Sequence, residues 1–251
     1  MLGCSGAEFP GHYPPGFLVD GKILFDAGTL NNVLDEKDQL KVTDIFITHA
    51  HMDHIREIPF LADNIIIGGW KRKVNIFSIS PVIKDIKNNL LNSKLWPDMT
   101  VLPNAHDAVV SLIPIKAQAP YGIENYSVTP YKVSHSVPAV GYLAENQKKR
   151  RFFYTGDTGP TDATWRRLGE KQIHCLIIEV SFPNRMEEIA ITTGHLTPNL
   201  LKKELLKIKL MPERIYITHL KPQFYKVIKK EIKRLNVNNL TLLKEGDILQ
   251  V

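Results

Sequence analysis

The chain has 251 residues, of which 43% are hydrophobic and 23% charged. These proportions belong to an ordinary globular protein with enough chain to bury a substantial core, and no apolar run approaches the length of a membrane span. The formal charge of +6 favours anionic partners such as phosphate esters and nucleic acid, and the two cysteines, Cys4 and Cys175, exclude a disulfide scaffold.

Taken in chain order, apolar runs punctuated by Gly, Pro and Asn predict strands at Ile23–Asp26, Ile45–Thr48 and Val74–Ile79. Pro81–Leu91 reads as a helix with Pro in its first turn, where a missing N–H costs little. Strands follow at Val109–Ile115, Ser127–Val133, Val140–Leu143 and Phe152–Thr155. Thr161–Leu168 is a short helix with Thr161 and Asp162 available for capping, and Leu176–Glu179 is a strand. Thr197–Ile208 is a clear helix: Thr197 caps it before Pro198, and Leu200, Leu201, Leu205 and Ile208 form its apolar stripe. Ile215–Thr218 is a strand and Tyr225–Leu235 a basic helix, with final strands at Leu240–Leu243 and Ile248–Val251. Helices interspersed among more numerous strands suit an α/β sandwich with helices outside two sheets. No linker or repeat interrupts the pattern, so a single domain over residues 1–251 is expected.

The cysteines fit a reducing cytoplasm, with Cys175 a small core residue. No leader peptide is expected: Leu2-Gly3-Cys4 has the look of a lipoprotein cleavage box but lacks an apolar segment before it. The basic residues are dispersed, and those from Lys202 to Arg234 lie on amphipathic helices as a solvated face.

The densest chemistry lies in Thr48-His49-Ala50-His51-Met52-Asp53-His54, directly after the run Ile45-Phe46-Ile47. Imidazole and carboxylate are the usual ligands of zinc and similar divalent ions. His49 and His51 alternate along an extended backbone and can face the same way. Asp53 and His54 fall where the chain turns into a helix and can reach a second ion. Three further candidates, His135, Asp157 and His219, each follow a predicted strand, so one sheet edge would carry them all on a rigid scaffold.

These residues make the chain resemble a metallo-β-lactamase-fold hydrolase with a binuclear site, and it is most similar to the class II cyclic-nucleotide phosphodiesterases. The resemblance is carried by Thr48–His54, Asn88–Asn92 with Leu95-Trp96-Pro97-Asp98, Val133–Pro138, Thr155–Pro160, Glu179–Asn184, Gly194–Pro198 and Thr218–Pro222. It implies an αββα sandwich of two mixed β-sheets with helices on the outer faces. It implies that His49, His51 and His135 hold one metal, that Asp53, His54 and His219 hold the other, and that Asp157 bridges them. Histidine-rich ligation suits Zn2+ best, with Mn2+ or Fe2+ as alternatives. Two such ions sharing a water would open a 3',5'-cyclic nucleotide (cAMP or cGMP) to its 5'-monophosphate.

In that reading His195 is the general acid, Asp53 can also act on the attacking water, and Glu179 orients a ligand histidine from behind. Trp96 is expected to pack rather than stack on a base. His12 is expected in a solvent-exposed loop, and His106 and His174 on the surface. The opening segment departs from the family: Met1–Gly6 leaves almost no room for a strand, and Pro10–Gly16 is rich in Pro and Gly. A homodimer is expected from the superfamily. The alternatives are a nuclease resembling the tRNA 3'-processing enzymes, although the RNA-gripping arm those enzymes carry is missing between Asp157 and His195, a hydrolase of thioesters or lactones, and a non-catalytic metal-binding module.

Overall fold

The computed structural model describes residues 1–250, and its apolar runs assemble into two β-sheets packed face to face. The first sheet holds β1 (Phe17–Val19), β2 (Ile23–Phe25), β3 (Asp44–Phe46), β4 (Val74–Ser78) and β5 (Val110–Pro114) in that spatial order. β1 and β2 are antiparallel, and β2 to β5 run parallel. The second sheet holds β6 (Tyr121–Ile123), β7 (Tyr126–Lys132), β8 (Val140–Asn146), β9 (Arg151–Tyr154), β10 (Cys175–Glu179), β11 (Arg214–Thr218) and β12 (Leu240–Leu242), also side by side in sequence order. Its strands β9 to β12 are parallel and β6 to β9 antiparallel, so both sheets are mixed, as expected.

The helices are α1 (Glu36–Gln39), α2 (Met52–Ile55), α3 (Glu57–Ile67), α4 (Ser80–Asp85), α5 (Ala163–Leu168), α6 (Glu187–Thr193), α7 (Pro198–Leu205) and α8 (Tyr225–Lys233). None is long and apolar enough to cross a membrane among the described residues. Between the sheets lies an aromatic core. Phe46 stacks on Phe25 and Phe77 within the first sheet, at 5.4 and 4.8 Å, and meets Tyr142 of the second edge-on at 5.4 Å. Offset and edge-to-face pairs of this kind add to the burial of the rings themselves. A second core forms where Trp165, Leu201 and Ile228 of α5, α7 and α8 cover Phe153, Leu176 and Ile215 of the second sheet. On the first sheet, α3 and α4 contribute Ile58, Leu61, Val82 and Ile83.

Several elements depart from the sequence reading. The expected helix over Pro81–Leu91 starts at Ser80 but widens into a π-helical turn at Ile86–Leu90. The strand expected at Ile248–Val251 does not form over residues 248–250: Ile248 is 89% exposed, and these residues join neither sheet. Val251 itself lies outside the described residues. Helix α3 was not anticipated, because Pro59 and the β-branched run Ile65-Ile66-Ile67 argue locally against helix. Pro59 sits in the first turn, where it is tolerated, and the buried face of Ile58, Leu61, Ala62 and Ile65 decides the outcome.

The sheets are joined at one edge. The Tyr142 hydroxyl donates to the Ile47 carbonyl at 2.6 Å, and Val140 N–H donates to the Thr48 carbonyl at 3.0 Å. The N-terminal residues form only isolated bridges, as the short opening segment implied, yet they cross to the same edge. Leu2 N–H donates to Gly16, and His219 N–H donates to the Cys4 carbonyl at 2.6 Å. Tyr142 is fully buried, so Tyr142→Phe would remove one of the two hydroxyls that donate to the Ile47 carbonyl and leave Ser78 as the other. The expected loss is about 1–2 kcal/mol of stability, read from the urea midpoint at unchanged m-value.

Candidate metal centre

Each candidate donor stands just beyond a strand end at this edge. β3 leads into Thr48, His49 and His51, and α2 then carries Asp53 and His54. β7 leads to His135, β9 to Asp157 and β11 to His219. The structure gathers them into two overlapping groups, His49, His51, His135 and Asp157, and Asp53, His54, Asp157 and His219. Within each group the donor atoms lie within 4.8 Å of one another, and Asp157 belongs to both.

Hydrogen bonding fixes which ring nitrogen faces inward. His135 Nδ1 lies 2.8 Å from the Gly194 carbonyl, which can only accept, so Nδ1 carries the proton and Nε2 presents a lone pair. His54 Nδ1 donates to Asp26 at 2.7 Å. Thr48 Oγ1 gives its own proton to Asp26 and accepts from His49 Nδ1 at 3.0 Å. Ser181 Oγ gives its proton to Glu179 and accepts from His219 Nδ1 at 2.9 Å. Four imidazoles therefore turn Nε2 lone pairs inward. His49 Nε2 and His135 Nε2 meet His51 Nδ1 at 3.0 and 3.2 Å. His54 Nε2 and His219 Nε2 meet Asp157 at 3.4 and 3.3 Å. Buried His54 Nε2 and Asp157 Oδ1 have no hydrogen-bond partner among the described residues. Lone pairs and carboxylate oxygens aimed at each other in a dry site are a donor set that divalent cations fit.

The charge states respond to the same crowding. Burial, with His54 close by, pushes His49 well below the usual imidazole range. Burial works against the charge on His54 too, but Asp157, Asp26 and Asp53 outweigh it and hold its pKa well above that range. Burial would raise Asp157, yet His219 and His54 keep it well below the ordinary carboxylate value. Asp53 is likewise lowered, its burial overcome by His54 and His219.

His195 stands beside the second group, its ring stacked on His219 at 5.5 Å. Its Nδ1 donates to Glu179 Oε1 at 2.7 Å, leaving Nε2 free. Burial opposes its charge, but Glu179 outweighs burial and raises its pKa. Glu179 thus orients His195 directly and reaches the candidate ligand His219 only through Ser181. Both Glu179 oxygens are taken, by His195, Ser181 and the N–H groups of Thr158 and Leu196, so Glu179, His195 and His219 form a hydrogen-bond relay rather than a third cation site.

Other residues fall elsewhere. Trp96 packs against Phe60 at 5.2 Å, as expected. His12 is partly exposed, 3.3 Å from Ser5 Oγ, and lies outside the donor groups. His106 is exposed, but His174 is half-buried and accepts from Arg151 N–H at 2.9 Å, a structural role rather than a surface one. Cys4 and Cys175 are free and buried. The sequence reading missed Asp26, which is buried and accepts from Thr48 N–H, Thr48 Oγ1, His54 and the Tyr154 hydroxyl. Its one local signal is an acidic side chain at a strand end, in Phe25-Asp26-Ala27-Gly28, which also reads as a turn.

Known proteins give the same picture. A Beta-lactamase superfamily domain matches residues 22–220, a span that contains every donor and His195. A probable 3',5'-cyclic-nucleotide phosphodiesterase of Yersinia pestis is 28% identical over 240 residues, covering 82% of this chain and 67% of the relative. A ribonuclease Z of Pyrococcus abyssi is 32% identical over 196 residues, covering 72% of this chain and 60% of the relative. The chain spans about half the length of other ribonuclease Z relatives. Unliganded yeast PDE1 shares the fold, with a TM-score of 0.79 over 97% of this chain and 96% of that one at 17% identity.

Asp26→Asn would keep the shape and remove the charge that holds His54 Nδ1 and Thr48. Partners behind metal ligands typically matter by about 10–100-fold in affinity. Divalent-ion affinity is expected to fall by that order in a competition titration against a chromophoric chelator.

Proposed function

The chain belongs to the Beta-lactamase superfamily, and from that premise we propose that this metallo-β-lactamase-fold hydrolase is a phosphodiesterase that opens 3',5'-cyclic nucleotides, cyclic AMP or cyclic GMP, to 5'-monophosphates. The carrying observation is the His195–Glu179 pair set against the two donor groups. A ribose alkoxide is a poor leaving group and needs a proton. His195 has one imidazole nitrogen locked on Glu179 and the other free at the edge of the donor set.

In this reading His49, His51 and His135 hold one divalent ion, Asp53, His54 and His219 the other, and Asp157 both. The ions, zinc by the donor chemistry with manganese or iron as alternatives, supply positive charge for the phosphoryl oxygens and make the attacking water more acidic. His195 Nε2 protonates the departing ribose 3' oxygen. Asp53, whose side chain is 32% exposed while Asp157 is 3% exposed, is the carboxylate placed to take the proton of the water. Ser181 ties the two halves together, because its hydroxyl touches both His219 and Glu179.

The ribonuclease Z relatives support a second reading, cleavage of precursor tRNA. Against it, residues 158–194 are taken up by α5, β10 and α6, and no projecting arm interrupts them. Metal-loaded protein is expected to convert cyclic AMP or cyclic GMP to the 5'-monophosphate, measured by chromatography. No turnover above a metal-free control with zinc, manganese and iron would sink the reading, and cleavage of precursor tRNA instead would install the second. His195→Ala is expected to lower kcat by about 10²–10⁴-fold while metal content, read by elemental analysis, stays unchanged.

A further inference from the structure

We propose that Lys221 is a substrate-binding residue of this site: its ammonium holds a non-bridging oxygen of the phosphodiester and selects anionic phosphate esters over neutral acyl substrates. The inference rests on the reading of the site as a phosphodiesterase and adds to it the group that recognises the charge of the substrate.

His219 lies in left-handed backbone, with φ of +63°, so the chain turns sharply there before Lys221. The Lys221 side chain reaches the N-terminal segment and the ring of Phe182. Its Nζ donates to the Gly6 carbonyl at 2.9 Å and lies 5.5 Å from the centre of the Phe182 ring. Both contacts adjoin the site. Gly6 sits against His219 so tightly that a Cβ on it would fall 2.8 Å from His219 Nδ1. The Phe182 ring lies 5.7 Å from the ring of His195. The Lys221 charge also acts at His195, where it opposes burial of a second positive charge behind the larger effects of burial and Glu179.

What distinguishes Lys221 is what it lacks. It is half-buried, yet no carboxylate oxygen lies within 4.0 Å of its ammonium among the described residues. Its only hydrogen bond there is to a neutral carbonyl. An ammonium has three donors, so two remain for a ligand. A neutral carbonyl and an aromatic face hold a cation in place without neutralising it. The buried carboxylates of the site, Glu179 and Asp157, are committed to His195, Ser181 and the donor groups. A cation without a carboxylate partner, set on the ring that packs against His195, suits the oxygen of a phosphate ester and gives nothing comparable to an uncharged ester or lactone.

The bland alternative is a clamp: Lys221 only fastens the N-terminal residues to the end of β11. Calorimetric titration of inorganic phosphate into metal-loaded protein separates the two, with turnover of bis(p-nitrophenyl) phosphate, metal content and melting temperature measured alongside. Lys221→Met is expected to weaken phosphate binding and lower kcat/KM by about 10–100-fold, the worth of a charge-assisted hydrogen bond, with metal content unchanged. Lys221→Arg, which keeps the charge, is expected to recover most of both. If the methionine variant does not fold, Lys221→Gln retains a donor for Gly6 without the charge and is read in the same way. Unchanged phosphate affinity in the uncharged variants, with a lower melting temperature, overturns the inference in favour of the clamp. If cyclic nucleotides are not hydrolysed but phosphate binding still depends on Lys221, the inference stands and the substrate reading falls. If they are hydrolysed and phosphate binding ignores Lys221, the reverse holds.

Discussion

Inward-facing lone pairs are the constraint on which this edge of the molecule depends. Five histidines and two carboxylates converge there, and four of the imidazoles have their outer nitrogen held by a fixed acceptor: Asp26, Thr48, Ser181 or the Gly194 carbonyl. For those four no rotation or tautomer change is open without breaking one of the bonds, and only His51, whose Nδ1 faces His49 and His135, can answer by moving its proton. Protonating His49 or His51 would stack like charges at this edge, as the fall of both below the usual imidazole range reflects, whereas His54, ringed by Asp157, Asp26 and Asp53, keeps its proton most readily. A divalent cation would meet these lone pairs and carboxylate oxygens together, which is the loading the donor chemistry suggests.

That arrangement is held by backbone features that only the assembled fold can stabilise. Asp26 and His219 both occupy left-handed backbone, with φ of +58° and +63°. Such conformations cost about 1–3 kcal/mol each in a non-glycine residue. Asp26 receives four hydrogen bonds in return, from both sheets. Gly194 shows the same economy in another form. A Cβ there would fall 2.7 Å from His135 Cα, so glycine alone lets the Gly194 carbonyl come close enough to orient the His135 ring. Among the described non-glycine residues in left-handed backbone, Asp26 and His219 are the buried ones, and both serve the donor set.

Legibility followed the same division. His49, His51, Asp53 and His54 were visible because they crowd into one segment, and His135, Asp157 and His219 because each ends an apolar strand. The parallel strands read clearly, since burial on both faces leaves continuous apolar runs such as Leu176-Ile177-Ile178. The groups that aim the donors did not read. Asp26, Ser181 and the Gly194 carbonyl act across sequence separations of 28, 38 and 59 residues, and nothing local distinguishes them from turn residues. Glu179 is legible as a carboxylate at a strand end behind a ligand histidine; it reaches His219 through Ser181, and its direct contact with His195 has no local signal. Helix α3 was hidden because its local propensity is poor and its buried face carries it.

Electrostatics links the donor set to the class of substrate. Two carboxylates, Asp53 and Asp157, cannot neutralise two divalent cations, and the imidazoles bring no negative charge. With Asp26 behind His54 counted as well, a site loaded as proposed would hold three carboxylates against two divalent ions, and Lys221 would add to the remaining positive charge without a carboxylate partner of its own. Placing that excess in a partly water-excluded edge strengthens its pull on an anion and is unfavourable without one. A neutral ester or lactone would leave the excess unbalanced, whereas a phosphodiester brings one negative charge in the ground state and spreads it over more oxygens as the leaving bond breaks. On the proposed loading, that disparity between cations and carboxylates is consistent with phosphate chemistry, and base preference would have to arise outside the charged centre.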